Sequence, residues 1–154
     1  MSSDSFVVRS ATSADVHAIF RLINELAHYE KAPKEVINTP AQLLRDGFER
    51  EVPLFIAHVA EWNDGSIIGF SLCYTRYSTW KGPVLYLEDL YVKEDFRRFG
   101  AGKALFQNCV DMVVAKGYKR LTWQVLDWNK PAIDFYSKWN ANMDSEWING
   151  SIDF

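Results

Sequence analysis

The feature that most constrains this chain is the run Tyr86-Leu-Glu-Asp-Leu-Tyr-Val92, which leaves through Lys93-Glu-Asp-Phe96 into Arg97-Arg-Phe-Gly-Ala-Gly102 and a long amphipathic stretch. A strand that enters two closely spaced glycines and then a helix brings backbone N–H groups and the positive end of the helix to one place. Such a place is built for an anion, a phosphate above all. Spacing excludes two common cradles. Counting back from Gly102-Lys103, Arg97 stands where a Walker loop needs its first glycine and Ala104 where it needs a hydroxyl. A dinucleotide fingerprint needs a small residue at the position of Leu105 and an acid near Thr122, and neither is present. The pattern that fits is R-x-x-G-x-G behind a strand, with Arg97, Gly100 and Gly102 in register.

The rest of the chain sets the frame for that loop. Its 154 residues, 48% hydrophobic and 15% aromatic, suit a single domain over residues 1–154 with a sizeable core. A formal charge of −3 argues against a sequence-blind nucleic-acid binder and suits a cationic partner. Cys73 and Cys109 are the only cysteines, and neither a secretory segment nor an apolar run approaching about 18 residues is present. These features predict a cytoplasmic, reducing setting, with no disulfide and no membrane partner.

Periodicity predicts the elements. Residues 6–9 read as a strand, and Val16, Ile19, Phe20, Ile23, Leu26 and Ala27 recur at helical spacing, with Thr12 and Asp15 placed to satisfy first-turn N–H groups. Thr39-Pro40-Ala-Gln42 opens a short helix that stops near Gly47. Residues 54–61 and 66–77 flank Trp62-Asn-Asp-Gly65, a strong hairpin signal, and Trp80-Lys-Gly-Pro83 turns the chain into a strand over 84–92. Leu105, Phe106, Cys109, Val110, Val113 and Val114 carry a helix to Gly117. A strand over 120–126, a helix from Asn129-Lys-Pro131 and a last strand over 147–154 complete the order β-α-α-β-β-β-α-β-α-β. That order predicts an α+β fold with a mixed, mostly antiparallel central sheet and helices on both faces.

At this level the chain resembles a known family. The stretches Leu22-Ile-Asn-Glu-Leu-Ala-His-Tyr-Glu30, Asp46-Gly-Phe48, Ser78-Thr-Trp-Lys-Gly82, Tyr86-Leu-Glu-Asp89, the loop 97–102, Val125-Leu-Asp-Trp-Asn129 and residues 132–136 are similar to the diamine branch of the GNAT N-acetyltransferases. That branch holds the spermidine/spermine and the thialysine enzymes, and the likeness spans nearly the whole chain. It implies the GNAT fold, acetyl-CoA as co-substrate without a metal, a small cationic amine as acceptor, and a homodimer. Where the family usually has a glycine after the last helix, this chain has Asn140, which can also take the left-handed cap conformation. Alternatives are a GNAT that acetylates a protein lysine or N-terminus, and an acyl-CoA-binding module without activity.

An amine with a pKa of about 10.4 is protonated at neutral pH and must lose that proton before it attacks a thioester. The resemblance gives that task to Glu88, directly or through a water. Alternation puts Tyr86, Glu88 and Leu90 on one face and Leu87, Asp89 and Tyr91 on the other, so the two acids point apart unless a bulge intervenes. The departing thiolate needs a proton in turn, and a phenol with a pKa of about 10 still carries one at pH 7. The family's Asn129-x-x-Ala132-x-x-x-Tyr136 pattern assigns this to Tyr136. For acetyl-CoA, the backbone of Leu90, Tyr91 and Val92 would pair with pantetheine like an added strand. Arg97, Arg98, Phe99, Gly100, Ala101, Gly102 and Lys103 would hold the diphosphate, and Asn129, Lys130, Pro131 and Ala132 would form the other wall with Tyr136. The resemblance places Tyr29, Glu30, Trp80, Glu88, Thr122, Trp123, Gln124 and Glu146 around the acceptor. Cys109 on an apolar stripe and Cys73 in a strand read as core residues, which favours direct transfer in a ternary complex over an acetyl-cysteine. The Asp127 carboxylate before Trp128 leans toward the thialysine-type members. An acceptor of that kind, bearing a carboxylate, calls for a basic contact that the sequence leaves unassigned.

Overall fold

Asp64 closes the hairpin that the sheet grows from. In the computed structural model, which describes residues 5–154, its Oδ1 accepts the Ser66 N–H at 2.9 Å and the Ser66 hydroxyl at 2.6 Å, and Gly65 takes φ 89°. Only glycine adopts that backbone freely. The elements are β1 (Phe6–Ser10), α1 (Val16–Tyr29), α2 (Pro40–Leu44), β2 (Ile56–Trp62), β3 (Ile67–Ser78), β4 (Gly82–Val92), α3 (Ala101–Lys116), β5 (Leu121–Trp123) and α4 (Lys130–Ser137). The chain divides into two compact units between Gln124 and Val125.

The first unit is a five-stranded sheet in the order β1-β2-β3-β4-β5, antiparallel as far as β4, with β5 parallel to β4. The middle of β3 is buried on both faces, because a helix covers each. On one face, Val16, Ile19 and Leu22 of α1 pack on Val59, Phe70, Leu72 and Tyr91. On the other, Ala101 and Leu105 of α3 pack on Ala60, Ile68 and Val92. Each large side chain so buried contributes about 1.5–3 kcal/mol. Gly69 lets β3 and β4 approach closely: a β-carbon there would stand 2.9 Å from the Tyr91 carbonyl oxygen.

The start of α1 is fixed as the sequence predicts. Asp15 accepts the Thr12 N–H at 2.7 Å and takes the Arg9 guanidinium in two bonds of 2.8 and 3.0 Å, while Arg9 Nε reaches Glu61 at 2.9 Å. The Arg9 contact holds the Asp15 carboxyl below its usual range.

In the second unit, Asn129 Oδ1 accepts the Ala132 N–H at 3.4 Å and Pro131 sits in the first turn of α4. Asn140, at φ 57°, takes the left-handed turn beyond that helix, as its side chain allows.

Three expected elements differ. The second helix ends at Leu44 and continues as the wider turn Arg45–Glu49 rather than running on to Gly47. The strand expected over 120–126 is cut to Leu121–Trp123, because its ladder with β4 stops at Leu87. The strand expected over 147–154 is absent; this stretch is coil, with Trp147, Ile148, Ile152 and Phe154 exposed. Apolar alternation supplies a face, but a strand also needs a partner edge, and the second unit offers none.

Candidate active site

β4 carries its acids through a β-bulge. In the ladder with β3, Leu72 faces Asp89 and Cys73 faces Leu87, so Glu88 is the extra residue. A bulge breaks strict alternation, and here it turns both carboxylates to the α1 face. Asp89 lies opposite Leu72 of the α1 cluster, and Glu88 Oε2 accepts the Tyr74 hydroxyl at 3.3 Å. Tyr74 in turn packs on Tyr86, ring centroids 5.2 Å apart.

This face is electrostatically strained. Burial, and then the negative charges of Glu88 and Glu30, push the Asp89 carboxyl up to about 7. Glu30, half-buried just past the end of α1, is raised by burial as well. Burial and the Glu88 charge together push the Tyr74 phenol up to about 12 and also raise Tyr86. A crowd of partly desolvated carboxylates and phenols is a place that a cation relieves.

The structure sorts the expected acceptor residues. Tyr86 pairs with Thr122, which places Thr122 on the acid-bearing face. Leu87 pairs with Trp123, whose ring meets Phe106 of α3 edge-on at 5.4 Å, so Trp123 belongs to the opposite face. Gln124 follows as the last residue of the first unit. Trp80 is not packed on the core: it is 85% exposed at the tip of the β3–β4 hairpin, where Ser78 Oγ accepts the Trp80 and Lys81 N–H groups. At ~3.3 Å per strand residue, that tip stands roughly 20 Å along β4 from Glu88, beyond the reach of a small amine. Glu146 is exposed in coil of the second unit, its N–H bonded to Asp144.

Two features of the first unit fit acetyl-CoA. Among the described residues no strand pairs with the outer edge of β4 beyond Leu87, so the backbone of Leu90, Tyr91 and Val92 has an edge for an extended amide chain. At the start of α3, Gly100 takes φ 87°, no side chain caps the helix, and its first turn holds no acid. The first-turn N–H groups therefore have no side-chain cap among the described residues, and Arg98 and Lys103 are exposed beside them.

The loop side chains divide their work. Phe99 anchors the loop on Trp62 at 5.1 Å, and Arg98 lies over the Phe99 ring. Arg97 is turned back on the protein: its Nε donates to the Val92 carbonyl at 3.0 Å and its guanidinium lies 5.2 Å from the Tyr29 ring and 5.5 Å from the Tyr91 ring. It lines an open cleft of about 640 Å³ with Tyr29, His28, Tyr91 and Glu94.

In the second unit Asn129 and Tyr136 are buried, Tyr136 beside Phe135 at 5.2 Å, while Lys130 pairs with Asp134 at 2.7 Å. Cys73 and Cys109 are both fully buried with their Sγ atoms 3.6 Å apart. Contact with Cys109 and burial push the Cys73 thiol far up, and the complete burial of both sulfurs keeps them from a substrate.

Sequence reasoning missed Tyr74 and left Asp89 without an assigned role. Two adjacent acids in an otherwise apolar strand are the one signal that hints at the bulge.

Comparison with known proteins decides the family. Residues 16–140 match the Acetyltransferase (GNAT) family. The chain belongs to that family. A thialysine N-epsilon-acetyltransferase of Bos taurus is 39% identical over 142 residues, covering 88% of this chain and 83% of the relative. One of Caenorhabditis elegans is 38% identical over 132 residues, 86% of this chain and 80% of the relative. An aminoglycoside acetyltransferase from an uncultured soil sample superimposes with a TM-score of 0.78 at 19% identity, covering 97% of this chain and 96% of that one, which shows the shared fold. As a GNAT member the chain is an acetyl-CoA-dependent N-acetyltransferase with the α+β fold of that family. No described helix is long and apolar enough to cross a membrane.

Proposed function

We propose that this GNAT enzyme moves the acetyl group of acetyl-CoA to the primary amine of a small polyamine, diamine or thialysine-like acceptor by direct attack in a ternary complex. The observation that carries this reading is the bulge that sets Glu88 and Asp89 on one face, where Asp89 holds its proton up to about 7. A general base works best when its proton affinity lies near the working pH. The acceptor ammonium docks against this acid pair and passes its proton to Glu88, directly or through a water, with the Asp89 carboxyl beside it. Glu30 and Thr122 share the acceptor surface. The uncapped first turn of α3 holds the diphosphate, and the free edge of β4 holds the pantetheine amides. Tyr136 gives its proton to the departing thiolate, a role that rests on the family pattern from Asn129 to Tyr136. The thialysine enzymes named above, at 38–39% identity, favour the acceptor class.

The test is a panel of spermidine, spermine, putrescine, thialysine and lysine with acetyl-CoA, read as free thiol released. Release with at least one of these amines, cut at least a hundredfold by Glu88→Gln, is the expected result. No release with any of them, in a protein that still acetylates a peptide N-terminus or lysine, overturns the proposal.

A further inference from the structure

Arg76 is a cation that the chemistry above does not use. It lies on β3 two residues beyond Tyr74, opposite Val84, and its guanidinium sits over the Tyr86 ring with Cζ 5.5 Å from the centroid. The side chain is exposed, and among the described residues it has neither an ion-pair partner nor a side-chain hydrogen bond. Its charge lowers the phenols of Tyr74 and Tyr86, opposing burial and the Glu88 charge, so it is felt across the rings that border the acid pair.

The acceptor face is therefore bipolar. Glu88, Asp89 and Glu30 form its negative end, Arg76 its positive end, and Tyr74 and Tyr86 the floor between. Two residues of strand separate Tyr86 from Glu88, roughly 7 Å. That is about the reach of an extended chain of six or seven bonded atoms, the run from side-chain nitrogen to carboxylate carbon in ornithine or lysine. A diamine or polyamine, cationic at both ends, meets Arg76 as a like charge. An amino acid with a terminal side-chain amine fits both poles.

We infer that Arg76 determines acceptor specificity by pairing with the α-carboxylate of an amino acid whose side-chain amine is acetylated at Glu88 and Asp89. This rests on the amine-acetyltransferase reading above and narrows its acceptor to ω-amino α-amino acids. A guanidinium matches a carboxylate with two parallel N–H···O bonds, which a lysine in its place would not reproduce. In the reaction an N–C bond forms at the side-chain amine and the thioester C–S bond breaks. The amine proton goes to the acid pair, and the thiolate leaves as a thiol.

The experiment compares matched pairs that differ only by the carboxylate: ornithine against putrescine, and lysine against cadaverine, with acetyl-CoA and thiol release as readout. The wild-type enzyme is expected to prefer each amino acid by at least about tenfold in kcat/KM. Arg76→Gln is expected to cut that ratio about tenfold, through KM for the amino acid, and Arg76→Lys to restore part of it. Because Arg76 is exposed, circular dichroism of the variants should match wild type. A wild type that prefers the diamines, or an Arg76→Gln that slows both members of a pair equally, overturns the inference while leaving the amine-acetyltransferase reading intact. No thiol release with any amine overturns both.

Discussion

Replacing Asp89 by asparagine tests the electrostatics of the site without touching its shape, since the amide copies a protonated carboxyl. In the folded chain burial and the charges of Glu88 and Glu30 hold the Asp89 proton up to about 7, against 3.8 for an unperturbed aspartate. The folded state therefore binds more protons than the unfolded one between these values, and stability falls as pH rises through that window. Below it the protonated carboxyl costs nothing; above about pH 7 the full cost of the charge is present. Each tenfold change in proton affinity is worth about 1.4 kcal/mol, so the hundredfold between pH 5 and pH 7 amounts to about 3 kcal/mol. This is a ceiling, because Glu30 and Glu88 relax as Asp89 ionises. Urea unfolding followed by circular dichroism at pH 5 and pH 8 reads it directly. Asp89→Asn should gain about 1–3 kcal/mol more over wild type at pH 8 than at pH 5. An equal gain at both pH values, or a larger one at pH 5, refutes the claim that this carboxyl is strained in the fold. The same variant should lose turnover near neutrality, the trade of activity for stability expected where a site stores charge.

Other perturbations reach other parts of the molecule. Tyr136→Phe should lower kcat at least tenfold with acetyl-CoA affinity by calorimetry nearly unchanged; unaltered turnover removes the phenol from the mechanism. Gly100→Ala, at φ 87°, should cost roughly 1 kcal/mol of stability and raise KM for acetyl-CoA, because the left-handed turn aims the first N–H groups of α3. Gly69→Ala should destabilise by about 1–3 kcal/mol in thermal melts, since the new methyl meets the Tyr91 carbonyl.

What the sequence made legible follows from periodicity and local chemistry. The Thr12–Asp15 entry to α1, the Asp64-Gly65 hairpin and the asparagine turn at 140 are short-range devices, and the structure contains all three. The glycine loop was readable for the same reason, because φ > 0 and an uncapped helix start leave marks on neighbouring residues. The bulge at Glu88 was not, since β4 is buried on both faces from Val84 to Leu87 and offers no alternation whose break could be seen. Trp123 was grouped with Thr122 by the resemblance, yet a strand sends neighbours to opposite faces, and Phe106 holds its ring on the α3 side. Arg76 stayed unassigned because its significance lies in a pairing across strands, with Val84 and the Tyr86 ring, that no local spacing reveals. The strand foreseen over 147–154 shows the opposite error, a local pattern read without asking what edge would receive it.

The bulge has one more consequence. Drop Glu88 from β4 and the pleat becomes regular: Tyr86, Asp89 and Tyr91 keep to the α1 side, and Leu87, Leu90 and Val92 to the other. A strand shorter by one would thus satisfy every buried neighbour it now has. Packing does not require that residue; what its loss would remove is the carboxylate that meets the Tyr74 hydroxyl.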